Sequence, residues 1–302
     1  CTRIISGRWV FKVKPTKEGK ISLFKARIVA KGFQTIKGVH YDDTFSPVAN
    51  SKTIKLLLAV ATTLSLHLRQ VDFKSAFLHA ERGPDQKPLY MWPPKGTNVP
   101  KDSVWQILKC IYGLKDSPLL FHKKLIKHLT SNGYKQSNAD LCLLYRRADG
   151  EYTILTVIVD DMIIASNKTK HADKLVAKLG KKFNVKDLGK PEYVIGIHVD
   201  YDRRGKKLNL SQKLYITTTA KKYGADNSRR VSTPADQGTI FRKDMGTHPT
   251  QEDYRSLIGS LLYATHSRPD VTTIVSSLAR YNDGAQEAHW KAAKRVLAYL
   301  YH

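Results

Sequence analysis

Residues 154–166 read ILTVIVDDMIIAS, two runs suited to burial with two adjacent carboxylates, Asp160 and Asp161, between them. Burying an unpaired carboxylate costs several kcal/mol or more even after relaxation, so something must offset that cost. The run reads as strand, turn, strand. A two-residue hairpin turn needs positive φ, which Asp tolerates better than most residues, so a plain turn is the simplest reading of the pair. A third carboxylate supports a different one. Asp72 ends the strand-like LHLRQVDF, and if these strands are neighbours in one sheet, three carboxylates converge at its edge and repel one another. A divalent cation removes that conflict. Mg²⁺ takes oxygen ligands, usually one or two carboxylates plus substrate phosphates, which suits a phosphoryl-transfer site holding two ions about 4 Å apart. The apolar flanks favour this reading, because a solvent-facing turn does not require them. A second pair, Asp42-Asp43 in GVHYDDTFSP, lacks such flanks and reads as a surface loop.

The chain has 302 residues, 41% hydrophobic and 25% charged, which is ordinary globular composition with enough apolar material for a sizeable core. Lys and Arg number 51 against 26 Asp and Glu, a formal net charge of +25. Such an excess fits a polyanionic partner, nucleic acid first and an anionic membrane surface second. It is spread along the chain, which favours a folded cationic groove over a disordered arm. The cysteines Cys1, Cys110 and Cys142 show no C-x-x-C spacing, so neither a zinc knuckle nor a disulfide scaffold is supported. No apolar run reaches membrane-spanning length and no signal peptide opens the chain. Beginning at Cys1 and ending in the helix-like AKRVLAYLYH, it reads as a piece of a longer polypeptide.

Residues 8–31 predict a hairpin, RWVFKVK and ISLFKARIVAKG about a turn at PTKEGK. Alternation puts Trp9, Phe11 and Val13 on one face with Lys12 and Lys14 on the other, and Lys25, Arg27 and Lys31 share a face of the second strand. Helical spacing over 51–66 follows a Ser51 cap, and a second helix starts with Ser117 as cap and Pro118 at its first position, ending at Asn132-Gly133. A helix at 169–183, a hairpin YVIGIHVDYDRRGKKLNLS and a helix from Ser211 to Gly224 follow. Beyond VSTPADQG the pattern turns all-helical, over 251–266, 269–282 and 285–301, the first with Thr250 and Asp253 as a capping pair. A domain boundary near 235 is expected.

The motifs RWVFKVK, KARIVAKGF, YDDTFSPVA, VDFKSAFLHA, LYMWPP, IYGLK-SP, VIVDDMII, FNVKDLG, YVIGIHV, LSQKLYI, VSTP, YRSLIGSLLY, SRPD and HWKAAKRVLAYL run in this order along essentially the whole chain. Together they resemble the reverse transcriptase domain of copia-type LTR retrotransposon polyproteins. The resemblance implies an α+β right-hand polymerase with an antiparallel palm sheet. Fingers and palm would occupy 1–200, a thumb 201–236, and 237–302 a helical connection toward a missing ribonuclease H domain. The implied activity is RNA-directed DNA synthesis, nucleotidyl transfer from dNTPs to a primer 3′ end with two Mg²⁺ ions as cofactors, Mn²⁺ being a possible substitute. Asp72, Asp160 and Asp161 match the family's metal-binding aspartates, the first two holding both ions and Asp161 supporting. Phe77 matches the aromatic gate that excludes a 2′-hydroxyl. Backbone amides near Ser75 and Ala76 would touch the phosphates, and Lys25 and Arg27 match finger positions that neutralise the triphosphate. Gly113, Leu114, Lys115 and Pro118 match the loop and helix start that position template and nucleotide. Without the resemblance, Phe77 reads as ordinary packing and Lys115 as a solvated charge. Implied partners are a primed RNA or DNA template, dNTPs and neighbouring integrase and ribonuclease H domains, with no membrane; the implied location is a cytoplasmic virus-like particle.

Two positions depart from the family pattern. Ile158 stands where a Tyr usually precedes the Asp pair, losing a hydroxyl that can contact the primer end. Residues 116–121 read DSPLLF in place of Gln-Ala-Pro-Arg-Ala-Trp. An acidic Asp116 beside bound nucleic acid is unfavourable, and Leu119 in place of arginine removes a phosphate contact. These departures leave open a catalytically degenerate, nucleic-acid-binding remnant. A two-metal nuclease or phosphohydrolase finds no H-E-x-x-H or Walker A loop to support it. A membrane-surface protein lacks the basic amphipathic helix with bulky aromatics.

Overall fold

The computed structural model describes residues 4–15, 20–83, 86–100, 102–148, 150–242 and 251–302. Thr250 and most of the expected PTKEGK turn lie outside them, as does Cys1. Two compact units emerge, residues 1–191 with 203–206, and residues 192–202 with 207–302.

The first unit holds β1 (Ile5–Pro15), β2 (Ile21–Ala30), α1 (Ser51–Thr63), β3 (His67–Phe73), β4 (Tyr90–Trp92), β5 (Trp105–Gln106), α2 (Ser117–Ser131), β6 (Lys135–Gln136), β7 (Leu143–Ala148), β8 (Glu151–Ile158), β9 (Asp161–Ser166), α3 (Thr169–Gly180) and β10 (Val185–Gly189). Its main sheet has the order β10-β3-β9-β8-β7-β6, and each pair described is antiparallel. Val71, Phe73, Leu155, Val157, Met162 and Ile164 line one face and pack against Phe121, Leu125 and Leu129 of α2 and Ala172, Leu175 and Leu179 of α3. The alternate residues Leu68, Gln70, Thr156, Ile163 and Ala165 are also buried, and α1 packs on β8 and β9. Burial on both faces explains the near-continuous apolar runs on either side of Asp160.

Within the hairpin, β8 ends at Ile158 and β9 begins at Asp161, so the turn residues are Val159 and Asp160. The positive φ falls on Val159 (53°) and not on either aspartate. A β-branched residue is costly there because its Cβ crowds the following carbonyl.

The expected basic hairpin forms, with Lys12 opposite Lys25 and Val10 opposite Arg27. It belongs to a four-stranded sheet, β2-β1-β4-β5, in which β1 and β4 pair in parallel. The ribbon has two characters: Phe11 and Phe24 are each 74% exposed on one face, while Lys12, Lys14, Lys25 and Arg27 belong to the other. Its base crosses the 112–114 loop at backbone contact, Ala30 N donating to Tyr112 O at 2.9 Å. Gly113 has φ +92°, and a Cβ there would sit 2.1 Å from the Ala30 oxygen, so only glycine fits.

Caps differ by one residue from expectation. Asn50 caps α1, its side chain accepting from Lys52 N at 2.9 Å. Asp116 precedes α2 without capping it, because its carboxylate is paired with Arg82 and both side chains are buried. Arg82 also donates to His40 O at 3.0 Å and Lys87 O at 3.3 Å, fastening the 36–43 loop to the start of α2.

The second unit comprises β11 (Tyr193–Val194), β12 (Ile197–Asp202), β13 (Lys207–Ser211), α4 (Lys213–Lys222), α5 (Gln251–Ala264), α6 (Thr272–Ala279) and α7 (Glu287–Tyr301). Ile216, Ala220 and Ala225 share one core with Tyr254, Leu257, Leu261, Val275 and Val296. The change of pattern near 235 is therefore not where the cores separate. Among the described residues no helix is long and apolar enough to cross a membrane.

Two substitutions test this account. Val159→Asn should raise stability by about 1 kcal/mol in urea unfolding, since Asn tolerates the left-handed region. Asp116→Ala strands a buried guanidinium and should cost about 3–5 kcal/mol, most of it recovered when Arg82→Met is added.

Candidate active site

The ladder β3-β9-β8 brings the carboxylates together. Asp72 and Asp161 are direct register partners and share a face, and Ile158 stands opposite Asp161 on that same face. Phe73 N donates to Asp160 O at 2.8 Å, which holds the turn against β3 just past Asp72. All three side chains lie where the covering helix no longer reaches, at the turn end of the sheet, and are partly exposed.

Their electrostatics follow from this crowding. Burial first, and the charge of Asp72 second, raise the Asp160 pKa, while Arg27 and Lys25 pull it down. Burial and Asp72 likewise raise Asp161, against a hydrogen bond from Gln70 that lowers it. Partial burial and the like charges of Arg27 and Lys14 lower Lys25, which Asp72 and Asp160 act to raise. Lys25 and Arg27, on the basic face of the ribbon, are thus within electrostatic reach of the carboxylates.

Asp160 Oδ1 is buried and lacks a hydrogen-bond partner. A buried, anionic, incompletely satisfied oxygen donor suits a hard cation such as Mg²⁺. Among the described residues no group of three or more His, Cys, Asp and Glu side chains is placed to hold a metal ion. The donors on offer are Asp72 and Asp160, with Asp161 alongside and engaged by Gln70. Two carboxylates completed by substrate phosphates are the usual Mg²⁺ arrangement, so the residues fit.

Ser75, at φ 53°, turns the chain from β3 into a single 3-10 turn over Ala76–His79. Phe77 is buried in that turn, 9% exposed, with its ring 4.8 Å from that of Tyr112. Arg27 lies over the other ring, its guanidinium carbon 5.1 Å from the Tyr112 centroid. Burial, Asp160 and Asp72 raise the Tyr112 hydroxyl pKa, against Arg27, which lowers it. Gly113 makes the backbone crossing described above. Lys115 reaches away to Tyr41, donating to its hydroxyl at 3.4 Å.

Gln70 had no sequence signal beyond its neighbourhood to a known motif, while Tyr112 and Lys186, the latter opposite Asp72 on β10, had only their places in IYGLK-SP and FNVKDLG. Asp116 is a correction. It does not face a nucleic-acid surface, being 4% exposed and satisfied by Arg82. Leu119 is likewise in the interior, 7% exposed.

The family model described as reverse transcriptase (RNA-dependent DNA polymerase) matches residues 2–237. The chain is 34% identical over 309 residues to the retrovirus-related Pol polyprotein from transposon TNT 1-94 of Nicotiana tabacum, covering 99% of this chain and 23% of that protein. It is 34% identical to the corresponding polyprotein from transposon RE2 of Arabidopsis thaliana, covering 98% of this chain and 20% of that one. The chain thus spans about a fifth to a quarter of these relatives. A foamy viral protease-reverse transcriptase solved with ds DNA superposes at a TM-score of 0.46 and 12% identity, over 98% of this chain and 44% of that one. The two aspartate-bearing strands, the ordered motifs and the family match lead to one conclusion: the chain belongs to the reverse transcriptase family, as the reverse transcriptase domain of a copia-type retrotransposon Pol polyprotein.

Proposed function

We propose that this chain catalyses RNA-directed DNA synthesis, adding deoxynucleotides to a primer 3′ end on an RNA or DNA template. The observation that carries the reading is the buried, unpartnered Asp160 Oδ1 beside Asp72, with Lys25 and Arg27 within electrostatic reach of the pair. Asp72 and Asp160 would hold two Mg²⁺ ions, with Mn²⁺ as a substitute, and Asp161 would support them. When bound, the ions would lower the pKa of the primer 3′-hydroxyl and neutralise the triphosphate.

The chain's own residues do the rest. Lys25 and Arg27 neutralise the triphosphate from the ribbon, and backbone amides near Ser75 and Ala76 meet its phosphates. Phe77, backing Tyr112, closes the space a 2′-hydroxyl would need. Gly113 and Lys115 shape the loop beside the template. In this reading fingers and palm occupy residues 1–200, supported by the compact unit that ends at 191. Residues 201–236 are the thumb and 237–302 the connection, two segments that share one core. Integrase and ribonuclease H domains of the same polyprotein would flank them.

Extension of an oligo(dT) primer on poly(rA) with Mg²⁺ tests the assignment. Asp160→Asn should reduce extension to background while template–primer affinity stays within about twofold; undiminished extension defeats the proposal. Because burial and Asp72 raise the Asp160 pKa, its ionised form costs stability as pH rises above the unfolded carboxylate value of about 4, so the Asn variant should unfold no earlier at pH 7. Phe77→Val should raise ribonucleotide over deoxynucleotide kcat/KM by about tenfold or more, read by single-nucleotide incorporation.

A further inference from the structure

On the helix-covered side of the main sheet, a concavity of about 500 Å³ is lined by Lys168, Lys170, Lys174 and Lys178, together with Arg146 and Glu151. These residues come from separate parts of the chain: β7, the start of β8, the approach to α3 and α3 itself. Glu151 pairs with Arg146 at 2.7 Å, so the acid is matched and four lysines remain in excess. All four lysines are exposed.

Three of them recur at every fourth position of α3, which sets them about 6 Å apart along its axis. Like charges at this spacing weaken a helix, and nothing in packing asks for them, since Ala172, Leu175 and Leu179 supply the core face. A concavity walled by protein and lined by a strong excess of one sign of charge focuses its field outward. The row matches, in spacing, the successive phosphates of a nucleic-acid strand. Lysine ammoniums act there as point charges that hold a backbone without reading bases. An acidic peptide would bring carboxylates at irregular intervals and fits the row less well. The site is distinct from the reaction centre. α3 covers the sheet face of Val71 and Met162, opposite the face that Asp72 and Asp161 share, and Glu151 lies at the start of β8, about 25 Å along that strand from the carboxylate turn.

We infer that the Lys170–Lys174–Lys178 row and its concavity form a second nucleic-acid contact, which holds the phosphate backbone of single-stranded RNA outside the reaction cleft. It goes beyond the polymerase reading and does not rest on it.

The test uses the whole chain and a fluorescently labelled 20-nucleotide single-stranded RNA, followed by anisotropy across a salt series. K170Q/K174Q/K178Q keeps helix-forming side chains on an exposed face, and its thermal unfolding should match the parent. Its affinity should fall about tenfold, and its slope of log affinity against log salt should flatten by about 2, the value for three lost phosphate contacts on a single strand. The comparison variant K52Q/K95Q/K213Q, with its exposed lysines scattered, removes the same charge and should change affinity by less than about threefold. Extension of a short template–primer whose template overhangs the primer by only a few nucleotides should proceed in K170Q/K174Q/K178Q as in the parent. Equal losses in the two triple variants would reduce the effect to net charge and overturn the proposal. So would displacement of the RNA by poly-glutamate from the parent but not from the row variant, which would make the site one for acidic peptides.

Discussion

Two strands buried on both faces meet at a turn that must carry charge, and the first unit is arranged around that conflict. α2 and α3 cover one side of the sheet, and α1 covers β8 and β9 on the other. The aspartates at the turn end remain partly exposed. There Asp160 is tethered by its backbone carbonyl to Phe73, so it cannot retreat from Asp72. Lys25 and Arg27 of the ribbon oppose the repulsion this imposes, and the ribbon's base is locked to the 112–114 loop by a crossing too close for any side chain.

The hairpin and its carboxylates were legible because hydrophobic runs of strand length flank a charge that has no reason to be there. Other features depended on contacts that no local pattern encodes. β4 and β5 contribute only three and two residues, and β1 reaches β4 across some eighty positions, so neither periodicity nor turn chemistry announces them. The positive φ was expected on an aspartate, yet the register assigns Asp161 to the strand and leaves Val159 to bear the strain. Asn50 rather than Ser51 caps α1 because either residue type caps equally well and only the entering backbone decides between them. Tyr112 stands in the IYGLK-SP motif, but its contacts were not legible because it lies far in sequence from both Phe77 and Arg27, which its ring meets.

Asp116 shows how a departure from a family pattern can mislead when read alone. By itself it is a negative charge near a polyanion. In the fold it is an interior group whose partner, Arg82, lies thirty-four residues earlier and also carries the loop that ends near Tyr41. The departure therefore bears on how a loop is anchored, and less on how nucleic acid is met. Ile158 is different. It stands beside Asp161 on the open face, where an apolar side chain shapes what can approach.

The two-faced ribbon sets a colloidal problem for the isolated chain. Phe11 and Phe24 present bare rings, and β2 is an edge strand with ladder groups to spare, a combination that invites sheet-to-sheet coalescence. Mutual repulsion from a net charge of +25 keeps copies apart at low ionic strength. Added electrolyte shortens the reach of that repulsion to about 10 Å at 0.1 M and about 3 Å at 1 M, while leaving the attraction between rings intact. Concentrated brine, often chosen to strip adhering polyanions from a basic protein, is thus the medium in which this one would precipitate first.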